Sequence, residues 1–230
     1  MYLTDLVLEI TRKCNMACEH CLRGDAQSIN IDYKVIDKLL SEVDSISSVT
    51  FTGGEPTLNV PAIKYFLKQA NKRHVSIGYF YVVTNGKIQS MPLMKALIDL
   101  FAYCEEKDYC GLEVSRDQYH EEGNDTPWYD ALKFYHPDKR RSHYKSGTLI
   151  GEGRALLNGI GWREETIPKF DVEIDDDNIT VNSMVYISSN GNVITSCDLA
   201  YERIDEEAKG NILTETLKEI ITKNVETVHE

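Results

Sequence analysis

The sequence predicts an α/β fold built on a parallel sheet, open or curled into a barrel. Two observations carry that expectation. Segments rich in β-branched and aromatic residues alternate with segments of helical apolar spacing as far as Ser115. The runs Val49-Thr50-Phe51 and Phe80-Tyr81-Val82-Val83 are apolar or β-branched on successive residues, as expected when helices cover a parallel sheet and its far face is also buried. A third observation marks a change of architecture after about residue 180. Asn190-Gly191, a pair that tolerates positive φ, separates Ser183–Ser189 from Asn192–Cys197 and predicts a β-hairpin.

Residues 4–10, Thr-Asp-Leu-Val-Leu-Glu-Ile, read as the first strand. A cysteine-bearing loop follows, then a helix with Ile36, Leu39, Leu40 and Val43 at helical spacing. Ser48–Thr52 is a second strand, leading to a helix with Ile63, Phe66, Leu67 and Ala70 on one face. Ile77–Thr84 is a third, leading to Met94, Leu97, Ile98 and Phe101. Regularity fades from Arg116 to Gly147, apart from a short helix near Pro127–Tyr135. A long irregular connection inside a compact domain is usually functional, and a substrate lid is expected there. Gly210-Asn211 precedes a last amphipathic helix carrying Leu213, Leu217, Ile220 and Ile221. The expected division is a main unit over 1–180 and a C-terminal hairpin–helix extension over 181–230.

Composition narrows the function classes. A chain of 230 residues, 42% hydrophobic and 27% charged, can bury one good core and is ordinary for a globular protein. Nothing approaches the roughly 18 uncharged apolar residues that span a bilayer. Met1–Glu9 lacks the features of a signal peptide, so no membrane association and a cytoplasmic location are expected. A net charge of -12 repels phosphate backbones and argues against nucleic acid. Lys139-Arg140-Arg141 with Lys145 is too short to offset it; that run reads as a solvated loop or a local dock for an acidic redox protein or substrate.

The chemistry-bearing residues begin with Cys14, Cys18 and Cys21, three soft donors in the loop after the first strand. Six cysteines placed at random in 230 positions would give this spacing with a probability of roughly 0.4%. Soft thiolates select zinc, copper(I) or iron–sulfur clusters. A structural zinc ion needs four ligands, and His20, adjacent to Cys21, is awkwardly placed to complete a tetrahedron. Three thiolates on a four-iron cube instead leave one iron open to a small chelating molecule. The second element, Thr52-Gly53-Gly54-Glu55-Pro56, ends the second strand and so lies on the same rim of the sheet as the cysteine loop.

A Cys-x3-Cys-x2-Cys loop after the first strand followed by Gly-Gly-Glu-Pro after the second resembles the radical S-adenosylmethionine (SAM) superfamily. The resemblance implies a partial (β/α)6 TIM-like barrel over about residues 1–180, one 4Fe-4S cluster on Cys14, Cys18 and Cys21, and SAM as the bound small molecule. It implies that Gly53, Gly54 and Glu55 receive the methionine amino group, glycines allowing close approach of backbone carbonyls. Thr84 and Asn85, in Val82-Val83-Thr84-Asn85-Gly86, resemble the segment near the adenosyl group, although Asn-Gly alone is an ordinary turn. Ser115 is expected against the ribose or carboxylate of SAM. Arg154, in Gly151-Glu152-Gly153-Arg154-Ala155, resembles a segment of peptide-modifying members and either forks onto that carboxylate or is a surface arginine. Tyr119 and His120 either position substrate or move a proton, or are loop residues without a role in the chemistry.

The implied reaction is reductive cleavage of SAM to a 5′-deoxyadenosyl radical that takes a hydrogen atom from substrate. The hairpin and final helix look like a shortened form of the C-terminal extension that holds auxiliary clusters in peptide-modifying members. Cys104, Cys110 and Cys197 are too few and too widely spaced for a further four-thiolate cluster, so a single cluster is expected. Cys104 and Cys110 read as small buried hydrophobes; Cys197 is a candidate hydrogen-atom donor. The resemblance favours a peptide or protein substrate, with a nucleotide or other small molecule as the alternative and a non-catalytic iron–sulfur module as a third reading. It implies a flavodoxin- or ferredoxin-type electron donor.

Overall fold

The computed structural model describes residues 1–120, 127–136, 149–163, 166–175 and 178–226. Strand β1 (Tyr2–Thr11), helix α1 (Tyr33–Glu42), β2 (Ser45–Gly53), α2 (Val60–Arg73), β3 (Ser76–Thr84), α3 (Met91–Tyr103) and β4 (Gly111–Val114) follow in order. The four strands pair in parallel, β4-β3-β2-β1, with Leu6 opposite Val49 and Val49 opposite Phe80. After α4 (Gly153–Leu157), β5 (Val172–Asp175) and β6 (Asn178–Ile187) form an antiparallel pair, and β6 also lies parallel to β1 on its free side. Beyond β6 come β7 (Asn192–Ile194) and β8 (Gly210–Asn211), both antiparallel, with α5 (Tyr201–Glu206) between them and α6 (Leu217–Thr222) at the end.

Strand order β4-β3-β2-β1-β6-β7-β8 makes one open, curved sheet, a partial TIM-like barrel with a C-terminal hairpin and helix. The position 180/181 falls inside β6, so the C-terminal residues extend the sheet of the N-terminal ones.

Helices form where caps and apolar stripes agree. Asp32 accepts from Lys34 N at the start of α1, which buries Val35, Ile36, Leu39 and Leu40. Ser90 caps α3, but its buried face is Leu93, Met94, Ala96, Leu97 and Leu100. Ile98, expected on that face, is 47% exposed. Thr216 and Glu219 form a reciprocal capping box that starts α6 at Leu217, leaving Leu213 in the preceding turn. Near Pro127–Tyr135 the regular structure is a single 3-10 turn, Tyr129–Ala131. The basic run at 139–145 and most of the expected lid lie outside the described residues.

The helix-facing side of the sheet packs Leu6, Leu8, Phe51, Phe80 and Val82 against α1–α3. The far side differs from the sequence expectation. On the concave face Thr50, Thr52 and Tyr81 are half-buried and Val83 is 39% exposed, because that face lines a cavity where a closed core was expected.

Candidate functional site

The cysteine loop leaves β1 at Arg12 and returns at Ile31, closed by Arg12 N–H to Ile29 O, Gln27 N–H to Arg12 O and Ile31 N–H to Ile10 O. Its root is a buried ion network. Arg12, fully buried, donates Nε to Glu9 (2.8 Å) and forks onto both oxygens of Asp205 on α5 (2.7 and 2.8 Å). Glu9 also accepts from Tyr186 Oη and Ser189 N–H, so no charge in this group is left unpaired.

From the other side the Gly151–Ala155 segment grips the loop. Arg154 N–H donates to Cys21 O, its Nε to Cys18 O, and its Nη1 to Asp25, which directs the side chain onto the loop backbone. Gly153 has φ +53°, and a Cβ there would sit 2.3 Å from Gly24 N and 2.5 Å from Leu22 O. Only glycine permits this approach. Buried Glu152 pairs with Arg203 of α5, so β1, α4 and α5 together frame the three cysteines.

The Gly-Gly-Glu-Pro element has a local reason for its glycines. A Cβ on Gly54 would lie 2.3 Å from Lys13 O, because Gly54 N–H and Glu55 N–H donate to Thr11 O and Lys13 O at the mouth of the cysteine loop. Glu55, 1% exposed, turns its carboxylate inward: Oε1 accepts from Thr57 N–H, Thr57 Oγ1 and Thr84 Oγ1, and Oε2 from Asn85 N–H. It ties the ends of β2 and β3 together. Asn85 Nδ2 donates to Asn15 Oδ1 and lies 4.0 Å from Cys14 Sγ; Ser115 N–H donates to Thr84 O.

A cavity of about 460 Å³ collects Cys14, Cys18, Cys21, Gly53, Gly54, Glu55, Thr84, Asn85, Ser115, His120, Arg154 and Cys197. Tyr119 lines an adjoining cavity with Cys14 and Cys18, its ring stacked on His20 at 4.4 Å. Cys104 and Cys110 are 2% and 1% exposed in the helix-side core, away from it.

Sequence reasoning did not assign Asp5, Arg23, Met184 and Asp198, which line the same cavity. Asp5 and Met184 are cross-strand partners on β1 and β6, a neighbour relation that no local motif carries. Asp117, in the same polar segment as Ser115, binds His120 Nδ1 at 2.8 Å.

The electrostatics follow from burial and partners. Burial disfavours the Asp117 carboxylate, but the bonds from His120 and Tyr119 N–H outweigh it and hold its pKa below the usual range. Burial opposes the His120 imidazolium, yet hydrogen bonds to Asp117 and Cys18 raise its pKa to about 9. Burial, reinforced by Asp198, pushes the Cys197 thiol up to about 11.

The donor set tests what the cysteines can hold. Three cysteines of one loop line the cavity, one thiolate short of the four that a structural zinc ion commonly takes. Three soft donors on one cavity wall fit an iron–sulfur cluster.

The chain is 36% identical over 85 residues to the YfkA protein of Bacillus subtilis (strain 168), covering 33% of this chain and 22% of that one. It is 30% identical over 101 residues to the tungsten-containing aldehyde ferredoxin oxidoreductase cofactor-modifying protein of Pyrococcus furiosus, covering 41% and 27%. The chain thus matches about a quarter of the length of these relatives. A solved structure described as native anSMEcpe with bound AdoMet and Cp18Cys peptide superposes with a TM-score of 0.53 at 14% identity, over 100% of this chain and 85% of that one, which shows a shared fold. The radical SAM superfamily profile matches residues 8–132, more than half of the chain, and the chain therefore belongs to the radical SAM superfamily of enzymes.

Proposed function

We propose that the protein holds one 4Fe-4S cluster on Cys14, Cys18 and Cys21, binds SAM beside it, and removes a hydrogen atom from a peptide or protein substrate. The observation that carries the reading is the single cavity uniting those cysteines with Gly53, Gly54, Thr84, Asn85, Ser115 and Cys197. The family implies the cluster and SAM. When bound, they supply one-electron reduction of the sulfonium and a carbon-centred radical from its broken carbon–sulfur bond.

The chain's own residues bind, orient and shield. Arg154 and the Arg12–Asp205 pair hold the cysteine loop in shape from two sides. Gly53 and Gly54 offer backbone carbonyls to an ammonium group, while Glu55 fixes Thr84 and Asn85 at the adjoining strand end. Val83, Met184 and Thr50 line the concave wall beside the reacting centre. Cys197 keeps its hydrogen at neutral pH and faces the same space, which supports it as a donor to a substrate radical. Tyr119 and His120 border the substrate side.

The peptide-bound relative of the same fold supports a peptide substrate. A small molecule is the second reading, favoured by the relative named for modifying a cofactor. A cytoplasmic location and a flavodoxin- or ferredoxin-type donor belong to the same proposal. The test is anaerobic: reconstitute the cluster, count iron and sulfide, add SAM and dithionite, and assay 5′-deoxyadenosine with wild type and Cys18→Ala. Product from wild type alone supports the reading. A full cluster with neither product nor SAM affinity would leave a non-catalytic iron–sulfur module. Full turnover by Cys197→Ala with an intact cluster would remove that residue from the mechanism.

A further inference from the structure

We propose that His20, Asp117 and His120 form a mononuclear site for a divalent transition-metal ion beside the cysteine loop, with donors distinct from the three cysteines. One ligand atom from each lies within 4.8 Å of the other two, and among the described residues no other trio of His, Cys, Asp or Glu does this. The trio joins distant parts of the chain: His20 comes from the cysteine loop, Asp117 and His120 from the segment after β4.

The donors are held in advance of any ion. The Asp117 and His120 side chains are 9% and 11% exposed and lie 2.8 Å apart through Oδ1 and Nδ1. Tyr119 N–H donates to the same Oδ1 at 2.9 Å, and the Tyr119 ring stacks on His20, fixing its plane. His20 and His120 meet edge to face at 5.3 Å. Nδ1 of His20 is buried without a hydrogen-bond partner, one of two such side-chain atoms among the described residues. An unpaired buried nitrogen is unfavourable, and an ion at this point would satisfy it. Two imidazoles, His120 releasing its proton to solvent as the ion enters, and one carboxylate suit Fe²⁺, Co²⁺ or Zn²⁺ and leave coordination positions open.

The test uses protein whose cysteines already carry iron and sulfide. After anaerobic reconstitution and removal of loose metal with EDTA, the protein is given Co²⁺, desalted, and analysed for cobalt, iron and sulfide. One cobalt per chain is expected beside a full cluster, with no thiolate-to-cobalt charge-transfer absorption. Asp117→Asn and His120→Ala should keep the iron and bind cobalt at least about tenfold more weakly. If either loses the cluster, His20→Ala serves in its place. Wild type that holds its cluster but no cobalt, cobalt with thiolate absorption, or cobalt retained equally by the variants would each overturn the site. Because iron and sulfide are counted in the same sample, failure of the cluster reading is seen separately.

Discussion

Glu55→Gln is the sharpest test of how the strand ends are held. The carboxylate is 1% exposed and accepts four hydrogen bonds, three at Oε1 and one at Oε2. Glutamine has a single acceptor oxygen. If that oxygen serves Thr57 and Thr84, the new NH2 group faces Asn85 N–H, donor against donor, and the bond between them is lost. That loss amounts to about 1–3 kcal/mol. The remaining bonds also lose their charge assistance, which roughly doubles the strength of such bonds. A total near 3 kcal/mol follows, and at about 2–4 °C per kcal/mol for a chain of this size Tm should fall by about 6–12 °C. The assay is thermal unfolding followed by circular dichroism, with Thr84→Val and the double variant completing a cycle. The two substitutions should be non-additive, since both remove the Thr84–Glu55 bond. A Tm within about 2 °C of wild type, or simple additivity, would refute the account.

Other substitutions probe the frame of the cysteine loop. Burial raises the Asp205 pKa, but the Arg12 guanidinium outweighs it, so the folded value lies below the unfolded one. The pair therefore adds stability above about pH 4 that is lost as pH falls through the lower folded value. Wild type should lose more Tm than Asp205→Asn between pH 6 and 3, and parallel losses would contradict this. Gly153→Ala puts a Cβ onto the Gly24 and Leu22 backbone, so reconstituted protein should hold less than about half the wild-type iron while far-ultraviolet circular dichroism is retained. With its pKa near 11, Cys197 should react slowly with iodoacetamide at pH 7 in cluster-loaded protein and faster as pH rises. Asp198→Asn, which removes the neighbouring charge, should accelerate it, as peptide mapping would show.

The order of strands and helices was legible because apolar spacing is local. Ile36, Leu39 and Leu40 stand at helical intervals whatever packs on them, and Asn190-Gly191 carries its turn in its own backbone preference. The cysteine spacing and the Gly-Gly-Glu-Pro element were legible for the same reason, each lying within a few residues of chain. Even so, the reason for Gly54 lay elsewhere, in its contact with Lys13 O across two strands.

Tertiary structure decided the rest. Nothing local says that β6 lies parallel to β1, which makes the C-terminal residues part of the same sheet and brings Met184 and Cys197 to the cavity. The concave face stayed open because, among the described residues, a partial barrel leaves it without a covering layer, a property of the whole sheet and of no single strand. Arg154 serves the cysteine-loop backbone, Arg12 meets Asp205 across 193 residues, and His20 meets Asp117 and His120 only after β4 returns to the rim. Sequence alone determined which residues can do the chemistry, since donor type and short-range spacing are written in the chain. Which of them share one space depended on long-range pairing, because burial and electrostatic partnership exist only once distant segments meet.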